Sequence, residues 1–227
     1  ATQVKESFTV SKLLREGSID RIVLKDEPLV QSFARPTDLA SYSDKDVLSF
    51  VQKMQKELQA KSEHILNAMI RVSTLEVSKL FVSANRELDQ NYTWINGFMG
   101  LAYRENDKTV QVFGFCDSAN MADVMAELPG KMDDLVDRAH HLTLAKPIEP
   151  GVYDVITAPS ITGLIAHEAF GHGVEMDQFV KDRALAKQYV GKYVASPICN
   201  MRDGAAAALS VASYFFDDDG VLAGNTQ

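Results

Sequence analysis

Apolar residues recur along this chain with two different periods, and the change of period divides it. After Ser43, the positions Val47, Val51, Met54 and Leu58 fall at helical spacing with Lys and Gln between them, so one stripe can face a core. Ser43 followed by Asp46 has the form of a capping box, Asp standing for the usual Glu, and marks where that helix starts. Between residues 68 and 116 the pattern shifts to runs rich in Val, Ile, Phe, Tyr and Thr. These predict strands over 69–75, 77–83, 92–104 and 108–116, with turn residues at Ala84-Asn85 and Glu105-Asn106-Asp107. So short a connection between the last two strands requires antiparallel pairing. Gly97, Gly100 and Gly114 predict bulges or close packing within them. Trp94 reads as a half-buried sheet residue, with peptide contact as the lesser alternative.

A second helix is expected over 131–144, with Met132, Leu135, Val136, Ala139 and Leu142 on one face. His140 and His141 lie near its C-terminal end, where a cation is favourable, and that reading is preferred to metal ligation. Upstream of Ser43, the alternation of Val4, Glu6, Phe8 and Val10 with polar residues predicts a strand. A helical turn over 11–16, closed by Gly17, and a second extended run over 19–24 follow. Residues 28–35 show no clear period.

Two prolines and a glycine in Lys146-Pro147-Ile148-Glu149-Pro150-Gly151 mark the best domain boundary, giving units of 1–147 and 148–227. Beyond it the pattern predicts a strand over 152–157, a helix capped by Ser160, a polar helical stretch over 182–189 and a strand over 210–216. Asp217-Asp218-Asp219-Gly220 reads as a solvated turn, since the ligand spacing of a calcium loop is missing. The fold class is therefore α+β: a mostly antiparallel sheet with packed helices, then the beginning of a second, β-rich catalytic domain.

Composition narrows the function. The 227 residues are 46% hydrophobic, enough for a proper core. Thirty-one acidic residues against 23 basic ones give a net charge of −8, which argues against direct nucleic-acid binding. No apolar run approaches the ~20 residues that span a bilayer, so no membrane partner is expected. Cys116 and Cys199 make no disulfide framework, and with no secretory signal a cytoplasmic location is expected.

The chemistry concentrates in Ile165-Ala166-His167-Glu168-Ala169-Phe170-Gly171-His172-Gly173-Val174-Glu175, which holds two of the five histidines. Two imidazoles for a divalent metal and an adjacent carboxylate for a general base are the makings of a metallohydrolase. The spacing is unusual. At i and i+5 an ideal helix turns the second imidazole roughly 140° from the first. Both can face one ion only if the helix takes up an extra residue, as in a π-type turn, or ends between them. Gly171 is the residue best able to permit either distortion. Gly163, His167 and Gly171 share one stripe, leaving room for a metal, water and substrate. The competing reading is a helix end whose histidines are merely hydrogen-bonded; clustered His and Glu favour a site.

With these residues in view, the sequence resembles the TldD/PmbA family, the modulators of DNA gyrase. The resemblance rests on Pro150-Gly151-Val152-Tyr153-Asp154-Val155 and on the run from Gly163 through His167, Glu168 and His172 to Asp177. Ala195-Ser196-Pro197 and Asp217-Asp218-Asp219-Gly220 are further landmarks. It implies a zinc peptidase subunit of the TldD type acting on peptides or unfolded segments. His167 and His172 would bind the metal and Glu168 would take the proton of the attacking water. Glu175 and Asp177 would orient the histidines. The resemblance also implies pairing with itself or with a related PmbA-type subunit. The family's third ligand is a cysteine from a C-terminal half that this sequence does not contain, so a partial chain is implied. The alternatives are a non-catalytic assembly module of the same family and a peptidase of the dipeptidyl-peptidase III sort, which the flanking residues disfavour.

Overall fold

The computed structural model describes residues 27–206 and 210–224. The strands and turn expected over 4–24 lie outside them. Four strands form one mixed sheet: β1 (Leu29–Ala34), β2 (Ile65–Val82), β3 (Arg86–Glu105) and β4 (Lys108–Ser118). β3 is the spine. β2 runs antiparallel along one side of it, while β4 (antiparallel) and β1 (parallel) share the other. The sheet is thus mostly antiparallel, as expected, with β1 the parallel addition drawn from the stretch without a clear period.

Two expected strands, 69–75 and 77–83, are one. Glu76 pairs with Thr93 in the middle of β2, so a single charge in the run is carried on a solvent-facing position and breaks nothing. The turn from β3 to β4 holds Asn106 and Asp107, both at positive φ (51° and 60°). That is the two-residue hairpin whose twist matches its strands, and Asn and Asp tolerate it best after glycine. The glycines serve close packing. A Cβ on Gly97 would lie 2.8 Å from Val124 Cγ1 and 2.9 Å from Cys116 Sγ; the register shift in β2 falls elsewhere, between Ile65 and Asn67.

Helices cover one face of the sheet. α1 (Asp44–Gln59) starts at the expected capping box: Asp46 N donates to Ser43 Oγ at 3.3 Å, and Ser43 N to Asp46 Oδ2 at 2.9 Å. Met54 and Leu58 from its apolar stripe are fully buried. α2 (Met121–Glu127), which sequence periodicity did not single out, is followed by a short 3-10 turn and α3 (Met132–Leu144). Asp38 caps α2 from a distance, accepting from Met121 N and Ala122 N. Ile70, Ile95, Met99, Val124, Leu128 and Leu135 are at the centre of the resulting core. On the opposite face Met69, Phe113 and Phe115 stay about half exposed.

Past α3 the chain leaves this sheet. Lys108 Nζ donates to Ala145 O at 2.7 Å, and residues 152–157 then run extended without pairing to any described strand, contrary to the strand expected there. α4 (Pro159–Ala169) and α5 (Met176–Val180) follow, and the polar stretch over 182–189 tightens into a 3-10 turn at Leu185–Tyr189. The strand expected over 210–216 is also absent. In its place Phe216 makes a single antiparallel bridge to Leu222, and the acidic turn between them returns the chain to the sheet. Gln90, 1% exposed, holds this end like a missing strand. Its Oε1 accepts from Phe215 N (2.9 Å) and Phe216 N (3.3 Å), and its Nε2 donates to Phe216 O (3.0 Å). Trp94 is buried rather than half-buried, at 2% exposure, and its Nε1 donates to Ser213 O at 3.4 Å. Arg86 Nη1 donates to Gly220 O at 2.7 Å, and Lys79 pairs with Asp218.

Candidate metal centre

Helix α4 begins two residues earlier than the sequence suggests. Ala158 is the N-cap and Pro159 the first helical residue, a position where proline's fixed φ and missing N–H do no harm. Ser160 therefore lies inside the helix and caps nothing. Thr162 Oγ1 meets Thr157 Oγ1 at 2.6 Å, tying the extended approach to the first turn. Not one residue of α4 is buried; Ile161, Leu164 and Ile165 are each about half exposed.

The helix ends between the two histidines. Phe170 leaves helical geometry at φ −140°, ψ −32°, and a 3-10 turn, Gly171–Val174, carries His172 back over the helix end. Of the two distortions that the i, i+5 spacing allows, termination is the one adopted. A Cβ on Gly171 would make only ordinary contact, 3.5 Å from His167 Nδ1, and the residue is not at positive φ, so the break does not require glycine there. The imidazole centroids of His167 and His172 come to 4.3 Å, with the rings at 63°. One ligand atom from each of His167, Glu168 and His172 lies within 4.8 Å of the others.

These donors fit a divalent ion. Zinc bound by nitrogen at about 2.0–2.1 Å in tetrahedral array keeps its donors about 3.4 Å apart, so small side-chain rotations bring atoms already this close to coordinating distance. Two imidazoles and a carboxylate also match the donor chemistry of zinc-type ions. His172 Nδ1 is bonded to Glu175 Oε1 at 2.8 Å, which leaves Nε2 facing Glu168 Oε2 at 3.9 Å. The Glu175 bond, its charge and the charge of Glu168 raise the His172 pKa above the ordinary imidazole value. Asp177 is engaged elsewhere. Lys181 Nζ (2.8 Å) and Gln178 Nε2 (3.1 Å) donate to its carboxylate, and the Lys181 bond lowers its pKa. The structure thus brings His167, Glu168, His172 and Glu175 together and turns Asp177 toward a lysine.

A cavity of about 640 Å³ opens beside His167. One wall is the face of α4 that the sequence marks out, with Pro159, Gly163, Ala166 and Gly171; the other is residues 200–203. That second wall escaped sequence reasoning, because Asn200, Met201, Arg202 and Asp203 carry no periodicity and no motif spacing. Two of the three remaining histidines meet Glu105, His140 Nδ1 at 2.6 Å and His64 Nε2 at 3.8 Å. His140 and His141 do end a helix, as read from the sequence, but His140 is held by a carboxylate as well.

The family model for the PmbA/TldA metallopeptidase C-terminal domain matches residues 150–227, the part that carries this centre. A metalloprotease of Methanocaldococcus jannaschii is 24% identical over 96% of this chain and 49% of its own length. A metalloprotease of Synechocystis is 25% identical over 99% of this chain and 49% of its own. A TldD homolog of Haemophilus influenzae is 34% identical over 31% of this chain and 15% of its own. The chain therefore spans about half the length of the relatives that match it throughout. In fold it is similar to a Bacteroides thetaiotaomicron protein assigned to the modulators of DNA gyrase. The TM-score is 0.76, at 14% identity, over 99% of this chain and 52% of that one.

Proposed function

We propose that this chain, whose residues 150–227 match the PmbA/TldA metallopeptidase C-terminal domain, is of the TldD/PmbA kind and is the metal-holding part of a zinc-dependent peptidase subunit acting on peptides or unfolded segments. The observation that carries this reading is the break at Phe170, which folds His172 back against His167 and Glu168. A regular helix would have separated the two imidazoles; nothing in the packing of an unburied helix demands the break.

In this reading His167 and His172 hold the ion, with Glu175 fixing the His172 ring so that Nε2 is the nitrogen presented. Zinc held by these residues would supply Lewis-acid chemistry to water and a peptide carbonyl. Glu168 takes the proton from the attacking water and returns it to the leaving amine. Its carboxylate is exposed and lies 3.9 Å from His172 Nε2, beside the position the two imidazoles would give the ion. Two imidazoles are fewer than the three protein ligands usual for catalytic zinc. A third comes from outside the described residues, either from further chain, as the doubled length of the relatives suggests, or from a second subunit of the same or PmbA type.

Zinc titration and turnover of an unstructured peptide test the assignment. The protein should take up one zinc per chain, His167→Ala should lose it, and Glu168→Gln should keep it. Removing the base should lower kcat by about a hundredfold or more. Undiminished turnover in Glu168→Gln, or zinc uptake unaffected by His167→Ala, would rule out these roles.

A further inference from the structure

The cavity beside His167 is polar on the wall that sequence reasoning missed, and that wall contributes one cation. Three lysines of the same excursion are engaged: Lys181 with Asp177, Lys187 with Asp182, Lys192 with Gln188 O. Arg202 lines the cavity and, among the described residues, makes no ion pair or hydrogen bond. Glu175 also lines the cavity, but its carboxylate is bonded to His172 and not to Arg202. Asp203, the neighbouring acid, accepts from Gly204 N at 2.8 Å. Facing Arg202, the wall of α4 is made of Gly163, Ala166 and His167, and a Cβ on Gly163 would meet nothing within 4 Å. A peptide backbone can therefore lie against the helix with its polar end toward the guanidinium.

Arginine presents a planar fork of donors that matches a carboxylate in two parallel hydrogen bonds. Glu175 and Asp203 line the same cavity, so what Arg202 offers an anion is a directed pair of hydrogen bonds at one point of the wall rather than a positively charged cavity. We propose that Arg202 is a specificity-determining residue that binds a carboxylate of the substrate, either the C-terminal carboxylate of a short peptide or an Asp or Glu side chain, while the backbone passes His167. This rests on the peptidase reading above, and it adds what that reading leaves open: which peptides enter.

Three N-terminally fluorescent tetrapeptides distinguish the sources: tetra-alanine as the free acid, the same peptide as its C-terminal amide, and an amide with Asp at its third position. Anisotropy titrations against the zinc-loaded protein should show a carboxylate-bearing peptide bound about tenfold or more tighter than the neutral amide, the scale of a charge-assisted pair. Which of the two binds tighter identifies the carboxylate that is read. Arg202→Gln should abolish the preference, and Arg202→Lys, which keeps the charge without the fork, should restore part of it. Equal binding of all three peptides by the unaltered protein, or an unchanged preference in Arg202→Gln, would overturn the proposal. Zinc uptake is measured on the same samples. In the unaltered protein, equal binding of the three peptides with normal zinc uptake sinks the role of Arg202 alone, whereas failed zinc uptake with the preference intact sinks the peptidase reading alone.

Discussion

Glycines at two positions of this chain do opposite work, and a methyl group tells them apart. At Gly97 a Cβ would press into Val124 and the Cys116 sulfur at under 3 Å, both anchored in the core. Gly97→Ala should destabilise the protein by about 1–3 kcal/mol, the usual range for overpacking, read as a lower urea midpoint at unchanged slope. At Gly163 the same methyl meets open space, and alanine is the better helix former by about 1 kcal/mol. Gly163→Ala should leave the midpoint unchanged or raise it. A loss at Gly163 as large as that at Gly97 would mean that its face of α4 is packed and not open, and no loss at Gly97 that the sheet–helix contact is looser than these distances indicate. Cys116, packed against Gly97, shares that environment: burial pushes its thiol up to about 11.

Among the elements, α1 has the clearest local instructions, and its start is the easiest to disturb. Ser43→Ala removes the side-chain acceptor for Asp46 N and should cost about 1 kcal/mol, seen as a lower thermal midpoint. No change would show that packing of Met54 and Leu58 fixes the helix start without its cap. The same contrast explains what could be read from sequence. α1, α3 and the β3–β4 hairpin were legible because capping, 3.6-residue stripes and turn residues agree there. α2 was not: it is seven residues long, too short to show a period, and its cap is Asp38, far upstream. The strands expected over 152–157 and 210–216 have strand composition but no partner among the described strands, and pairing is a property of the sheet, not of the segment. At the candidate metal centre, residue type and spacing picked out His167, Glu168 and His172, which the structure brings together, and restricted the backbone to two distortions. Choosing between them needed coordinates, as did the wall of residues 200–203 and the turning of Asp177 to Lys181.

At the scale of the molecule, the last described residues fold with the first sheet rather than with the centre that precedes them. Gln90 makes the decisive bonds. Gln90→Leu keeps similar bulk and leaves the Phe215 and Phe216 backbone groups without their partner, at about 1–3 kcal/mol for each buried group stranded. Amide exchange at Phe215 and Phe216 should quicken in this variant while the β2–β3 ladder keeps its protection. Unchanged exchange would mean that stacking of Phe33 on Phe215, at 5.3 Å between ring centroids, suffices to hold the segment. The histidine-bearing stretch is thus an arch with both feet on one foundation, at Ala145 beside Lys108 and at Ser213 beneath Trp94. For an arch so footed, each doubling of span adds only about 0.6 kcal/mol of closure entropy. New loops for new substrates can therefore be spliced into the arch while the foundation goes on folding as before.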